Sequence, residues 1–255
     1  MIFGIQTKTI INHRLKKLRA YLHYFFYLGW NWNFRLATVI LYHEIRGEKK
    51  YHINSIGIDD LTNSVSEENL REASIYQPIN YYIAEWLFDQ LDKTEIENNA
   101  ILDAGCGRGR VMAMAASYGF NKIYGIDVSP ALCHQATKNM HTLTPLYPSN
   151  SFTVICEDAR NMVISPDISI IFMFNPFTAT IMKPFMEKVM ESIQQRPRKI
   201  TMLYANPECK EILIEKGFKQ TATKQKLTWL QGSVFVFEPL ISNLPGYQSF
   251  KINLK

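Results

Sequence analysis

The stretch from Ala100 to Arg110 reads Ala-Ile-Leu-Asp-Ala-Gly-Cys-Gly-Arg-Gly-Arg, and it restricts the fold more than any other part of the chain. A short apolar run ends in an acid, a glycine-rich turn follows, and Val111 to Ala116 opens a helix-like pattern. Strand, glycine turn and helix in that order form the first unit of a doubly wound α/β sheet. That unit holds an adenosine-containing cofactor at the carboxyl end of its first strand. Glycines serve the turn because it needs dihedrals that other residues avoid, and because the backbone must come close to the ligand.

The acid discriminates between cofactors. Dinucleotide sites use G-x-G-x-x-G and rest a pyrophosphate on the helix N-terminus. Here the spacing is G-x-G-x-G, and Asp103 stands two residues before Gly105. A carboxylate there repels a pyrophosphate and suits a cofactor that carries an ammonium group and no phosphate. S-adenosylmethionine is such a cofactor, and the stretch resembles motif I of the class I S-adenosylmethionine-dependent methyltransferases.

Further signals follow in order. Lys122 to Asp127 is a second apolar strand ending in an acid. An acid about 20 residues past the glycine turn is placed to accept hydrogen bonds from ribose hydroxyls. Ser151 to Ile155 is a third strand running into Cys156, Glu157, Asp158 and Ala159. Ile168 to Phe174 is a fourth, ending in Asn175, Pro176 and Phe177. The resemblance covers roughly residues 76–237. It implies cofactor contacts at Asp103, Gly105, Cys106, Gly107, Gly109, Asp127, Asp158, Ala159 and Asn175, with Asp158 taking the adenine amino group. It also implies a methyl-transfer face at Asn175, which is the candidate catalytic residue. The Asn-Pro-Phe tripeptide is compared with the N-P-P-Y-type motif of amino-methyltransferases, but the second proline is absent and Phe177 comes one place early. The Gly107–Arg110 run resembles bacterial relatives of the non-SET histone-lysine methyltransferases only over motif I and the next helix, so it does not imply a protein-lysine substrate. In related enzymes the segment before the first core helix folds over the cofactor, which makes Tyr76 the candidate lid residue.

The rest of the chain supplies the frame. Tyr81 to Leu91 has helical spacing with Asn80 as N-cap. Met182 to Ile193 and Glu208 to Lys216 read as helices, the second stopped by Gly217. Lys199 to Tyr204 is a fifth strand, and Phe218 to Thr223 with Leu227 to Glu238 form a closing hairpin. The expected fold is a doubly wound, seven-stranded, mostly parallel sheet with an N-terminal helical extension. The expected division is an extension over residues 1–65 and a methyltransferase domain over residues 66–255. Residues 46–66, with Gly47, Gly57 and Asn63, read as a polar connection with little regular structure, followed by a short helical turn over Glu67 to Ala73.

Charge is uneven. Residues 1–50 carry nine lysines and arginines against two acids, whereas the remainder carries nineteen against twenty-one. Behind the basic residues lies an aromatic block from Tyr21 to Phe34, and Leu36 to Ile45 reads as a helix. His23, Asn31, Asn33 and Arg35 interrupt the apolar run and argue against a membrane span. A signal peptide also fits poorly. Two readings stay open: a helical cap on the catalytic domain or on a second copy, and an attachment to a membrane surface. Arg35 and the amphipathic continuation favour the cap.

The four cysteines form no C-x-x-C pair and fit a reducing compartment, so the expected location is cytoplasmic, with membrane association left open. The six histidines show no metal-ligand spacing, and no metal is expected. No nucleic-acid module is recognisable, and the catalytic part is slightly acidic. Two other function classes fit less well: a Rossmann-type oxidoreductase, disfavoured by the glycine spacing and by Asp103, and a non-catalytic S-adenosylmethionine-binding module, disfavoured by the full set of cofactor acids and glycines. The methyl acceptor is not legible.

Overall fold

The computed structural model describes residues 18–19, 21–53, 55 and 77–239. A seven-stranded sheet runs in the order β3-β2-β1-β4-β5-β7-β6. Its strands are β1 (Ala100–Ala104), β2 (Lys122–Asp127), β3 (Ser151–Cys156), β4 (Ile168–Phe174), β5 (Ile200–Ala205), β6 (Lys219–Lys226) and β7 (Leu230–Phe237). β1 pairs in parallel with both β2 and β4, while β7 is antiparallel to β5 and to β6. The strand order therefore reverses between β1 and β4, and such a switch point is where doubly wound sheets bind ligands.

Both faces of the sheet are covered. Every residue of β1 and of β5 is buried, as expected for a parallel sheet between two helical layers. Side chains alternate along the strands. Ile101, Ile170, Phe172 and Leu203 share one core with Ala84, Leu87, Met112 and Ala115. Leu102, Ile171, Met202 and Tyr204 share the other with Met182, Phe185 and Val189.

The helices are α1 (residues 21–31), α2 (Phe34–Lys50), α3 (Tyr81–Phe88), α4 (Lys93–Asn98), α5 (Arg110–Tyr118), α6 (Pro130–Leu143), α7 (Ala179–Gln195) and α8 (Lys210–Glu215). Asn80 caps α3 by accepting from the Tyr82 N–H, at 2.9 Å. Gly217, at a φ of +90°, ends the turn after α8.

Several boundaries differ from the sequence reading; the hairpin turn, for one, falls at residues 227–229, so β6 runs on to Lys226 and β7 begins only at Leu230. α2 continues to Lys50, so residues 46–50 are helical rather than a loose connection. Gly47, read as part of that connection, is a helical glycine that makes room for the Tyr81 ring, which a Cβ there would meet. α3 stops at Phe88, since Asp89 and Gln90 turn the chain toward α4. α4 itself was missed. Its signature is a capping box in which Asp92 accepts from the Glu95 N–H at 2.7 Å and Glu95 accepts from the Asp92 N–H at 3.2 Å. The turn expected over Glu67 to Ala73 lies outside the described residues.

The N-terminal helices share the catalytic core. Tyr24, Leu28, Leu36, Ala37 and Ile40 are buried with Ile83 and Leu87. At ~25 cal/mol per Å² this burial is a substantial stabilising contribution.

Candidate cofactor site

The glycine turn is tied to the neighbouring strand. The N–H groups of Gly105 and Cys106 both donate to the Ile126 carbonyl, at 2.9 and 2.8 Å. The Gly109 N–H donates to the Cys106 carbonyl at 2.8 Å, closing the turn onto α5. Gly105, Gly107 and Gly109 have φ values of +79°, +52° and +82°, the left-handed region that strains any side chain with a Cβ. At Gly105 a Cβ would also lie 2.5 Å from the Pro176 Cβ. Close packing of α5 on β2 rests on Gly125, where a Cβ would meet the Met112 and Cys106 side chains.

Asp127 closes the second strand. Its Oδ2 accepts from the Gly107 N–H at 2.9 Å, and its Oδ1 accepts from the Ser129 N–H at 3.0 Å. One carboxylate therefore fixes both the glycine turn and the start of α6, and each oxygen keeps a lone pair for a ligand hydroxyl.

These elements open one cleft of about 970 Å³, its mouth included. Asp103, Gly105, Cys106, Asp127, Asp158 and Ala159 all line it. Gly107 and Gly109 are not on its wall; they act through the turn geometry. Asn175 also lies off the wall, between Phe174 and Pro176, which are both on it. Asn175 has a φ of +37°, and Asn206 at the end of β5 has a φ of +48°. Asn-Pro with a left-handed Asn is thus how two adjacent strands of this fold turn the chain out of the sheet. Tyr76 lies outside the described residues; its neighbour Gln77 lines the cleft with Pro78 and Ile79.

The electrostatics of the cleft are those of two crowded acids. Burial pushes the Asp103 carboxyl well above the usual range, and the nearby Asp127 pushes it further. Burial also raises Asp127, against the opposing pull of the Ser129 and Gly107 N–H groups. Asp158 shifts the other way, held down by Arg160, whose Nε donates to both carboxylate oxygens at 3.0 and 2.9 Å.

Arg110 was not singled out in the sequence, yet it lines the cleft and is almost fully buried. Its Nη1 and Nη2 each donate to Glu44 of α2, at 2.7 Å, in a two-pronged fork. Nη1 also donates to the Ile79 carbonyl at 2.6 Å, and Nε donates to the Ser55 hydroxyl at 2.8 Å. The guanidinium sits 4.2 Å from the centre of the Tyr81 ring. No sequence signal links residues 66 positions apart in this way. Glu157 and Leu132 also line the cleft without having been anticipated.

The site suits the expected cofactor. It offers uncompensated carboxylates for an ammonium group and ribose hydroxyls, apolar walls at Ile126 and Leu132, and a turn that would be blocked by any side chain at Gly105. Among the described residues no cluster of metal-binding side chains occurs.

Comparison with known proteins agrees. Residues 101–198 match the family model described as a methyltransferase domain. Among solved structures, the chain is similar to magnesium protoporphyrin IX methyltransferase of Synechocystis PCC 6803 with bound S-adenosylmethionine. The identity is 15%, coverage is 61% of this chain and 75% of that one, and the TM-score is 0.45. It is also similar to the ribosomal protein L11 methylase of Lactobacillus delbrueckii subsp. bulgaricus, at 12% identity, 70% and 98% coverage and a TM-score of 0.47. No curated protein matches. Both structural likenesses are distant, and the domain match carries the identification together with the strand order and the glycine turn. On that footing residues 101–198 carry a methyltransferase domain, with S-adenosylmethionine as the methyl donor, consistent with a class I enzyme.

Proposed function

We propose that the enzyme methylates an acceptor with an uncharged, apolar body, which approaches along Phe174, Pro176, Phe177 and Ile181. The single supporting observation is the asymmetry of the cleft: the acids cluster at the ends of β1, β2 and β3, while the wall beyond β4 is apolar. When bound, the cofactor supplies an already activated methyl group on a sulfonium. The protein then has to bind, orient and exclude water, and such positioning alone can supply much of the rate. In this reading Asp103 receives the ammonium group and Asp127 the ribose hydroxyls. Asp158, whose carboxylate keeps lone pairs beyond those used by Arg160, accepts from the adenine amino group. Cys106, Gly105 and Ala159 form the close walls, Tyr76 closes over the cofactor, and Asn175 sets the strand exit beside the transfer point.

Residues 1–65 act in this reading as a helical extension bracing the domain over residues 66–255. The expected setting is the cytoplasm. No helix among the described residues is long and apolar enough to cross a membrane.

The cofactor half is checked by calorimetry with S-adenosylhomocysteine. Asp127→Ala is expected to weaken binding by roughly 1–3 kcal/mol, the cost of leaving buried polar groups unpaired. Unchanged affinity would remove Asp127 from the ribose site. The acceptor half is checked by incubating cell extract with methyl-labelled cofactor and fractionating it. Label confined to highly charged, water-soluble products would contradict the apolar acceptor.

A further inference from the structure

We propose that the outward face of α1, together with the β6–β7 turn, is a docking surface for an anionic lipid bilayer. This face belongs to no part of the cofactor site. On α1, Leu22, Phe26 and Trp30 repeat every four residues and so share one side of the helix. All three point to solvent: Phe26 is 57% exposed and Trp30 86%. The opposite side of the helix is already buried through Tyr24 and Leu28. A surface helix ordinarily buries its apolar stripe and turns a polar face outward; α1 buries one stripe and carries a second, apolar one outward beside His23. Contiguous exposed apolar patches mark interaction sites.

The patch extends beyond the helix. Trp32, just past α1, meets Trp229 edge to face, with ring centroids 6.3 Å apart. Trp229 sits in the β6–β7 turn and is 56% exposed. β7 begins opposite the end of β5, with Gly232 registered against Ala205. The turn therefore lies at the carboxyl edge of the parallel strands, the edge that carries the cleft. Docking through Trp229 brings that edge to the bilayer.

Charge selects the occupant. The two acids of residues 1–50, Glu44 and Glu48, are both buried, so the formal charge that the described residues of this segment turn outward is wholly basic. Arg19 precedes and Arg35 follows the aromatic run in the chain, and both are exposed. Tryptophan and tyrosine favour the lipid headgroup level, and basic residues are drawn to anionic leaflets. A second copy would bring the same positive charge against itself. A nucleic acid would satisfy the charge and leave the aliphatic and phenyl part of the face exposed.

The test is sedimentation of the full-length protein with phosphatidylcholine vesicles and with vesicles containing phosphatidylglycerol. The protein should pellet with the anionic vesicles. Release is expected as salt rises from about 0.1 M to about 1 M and the screening length contracts from ~10 to ~3 Å. Phe26→Ala with Trp30→Ala, and separately Arg19→Glu with Arg35→Glu, should each lower partitioning by roughly tenfold. Thermal stabilisation by S-adenosylhomocysteine, measured on the same samples, should not change; that readout keeps a failure here distinct from a failure of the cofactor site. Equal binding to neutral vesicles, or variants that sediment like the parent, would overturn the proposal. So would a dimer that Trp30→Ala dissociates, or binding of an oligonucleotide in the absence of vesicle binding.

Discussion

Two buried carboxylates near the same cleft have opposite surroundings. Glu44 is held by Arg110 in a fork of two 2.7 Å hydrogen bonds. Asp103 is equally enclosed, but its significant charged neighbour is another acid, Asp127. Burial raises both carboxyls; only at Glu44 does a cation oppose it. The difference separates a brace from a binding site. A paired buried charge fixes how α2 sits against the cleft wall at Ile79. An acid buried without a cation is an energetic cost that a ligand's positive charge can relieve, and perturbed groups of that kind gather at functional sites.

The comparison breaks most sharply at Arg110. Arg110→Met leaves Glu44 charged and buried with no cation, which costs about 3–5 kcal/mol. Denaturant unfolding of this variant should show that loss. Replacing Glu44 and Arg110 together by apolar residues should restore much of it, because a well-packed apolar pair can match a buried ion pair. If Arg110→Met unfolds like the parent, the fork is not a brace.

Next in size is Gly105→Val. The left-handed dihedral strains a β-branched residue by about 1–2 kcal/mol, and the new Cβ meets Pro176. Binding of S-adenosylhomocysteine should be lost even where the protein still folds, as judged by circular dichroism. A folded Gly105→Val protein with normal affinity would remove the glycine turn from the site.

The smallest effect concerns Asp158. Arg160 already engages its carboxylate, so the adenine contact proposed for it would be one of several. Asp158→Ala should weaken an adenosyl ligand by about 1 kcal/mol and an inosyl analogue by less. Equal losses would take Asp158 out of the base pocket.

The sequence exposed the cleft far better than the brace, for a physical reason. Asp103, the glycines and Asp127 lie at the ends of consecutive strands, where chain order itself decides what meets. The parallel strands, Asn80 and Gly217 were legible for the same reason: local chemistry settles them. Arg110 and Glu44 meet only because α2 packs across α3, and nothing in the pattern of either segment announces that contact. Gly47 misled because a glycine that makes room for a Tyr81 ring looks in sequence like one that turns the chain. The capping box at Asp92 was present in the sequence and went unread because α4 spans fewer than two turns. Asn175 stays ambiguous for a structural reason, since Asn206 adopts a similar left-handed backbone conformation at a strand exit off the cleft wall.

The central claim is that Asp103 and Asp127 form an acid pair waiting for a cation, and pH tests it directly. Without ligand, a carboxyl raised by folding binds its proton more tightly than the unfolded chain does. Its contribution to stability is therefore greatest at low pH, and falls as pH rises from near the ordinary value of 3.8 through the raised folded values. A bound ammonium group favours the charged forms and reverses that sign. The decisive measurement is the thermal shift produced by S-adenosylhomocysteine as a function of pH, in the parent and in Asp103→Asn. The shift should grow with pH in the parent, and in Asp103→Asn it should be small and lose most of that growth. A ligand shift that is independent of pH, or one that Asp103→Asn leaves intact, would contradict the account.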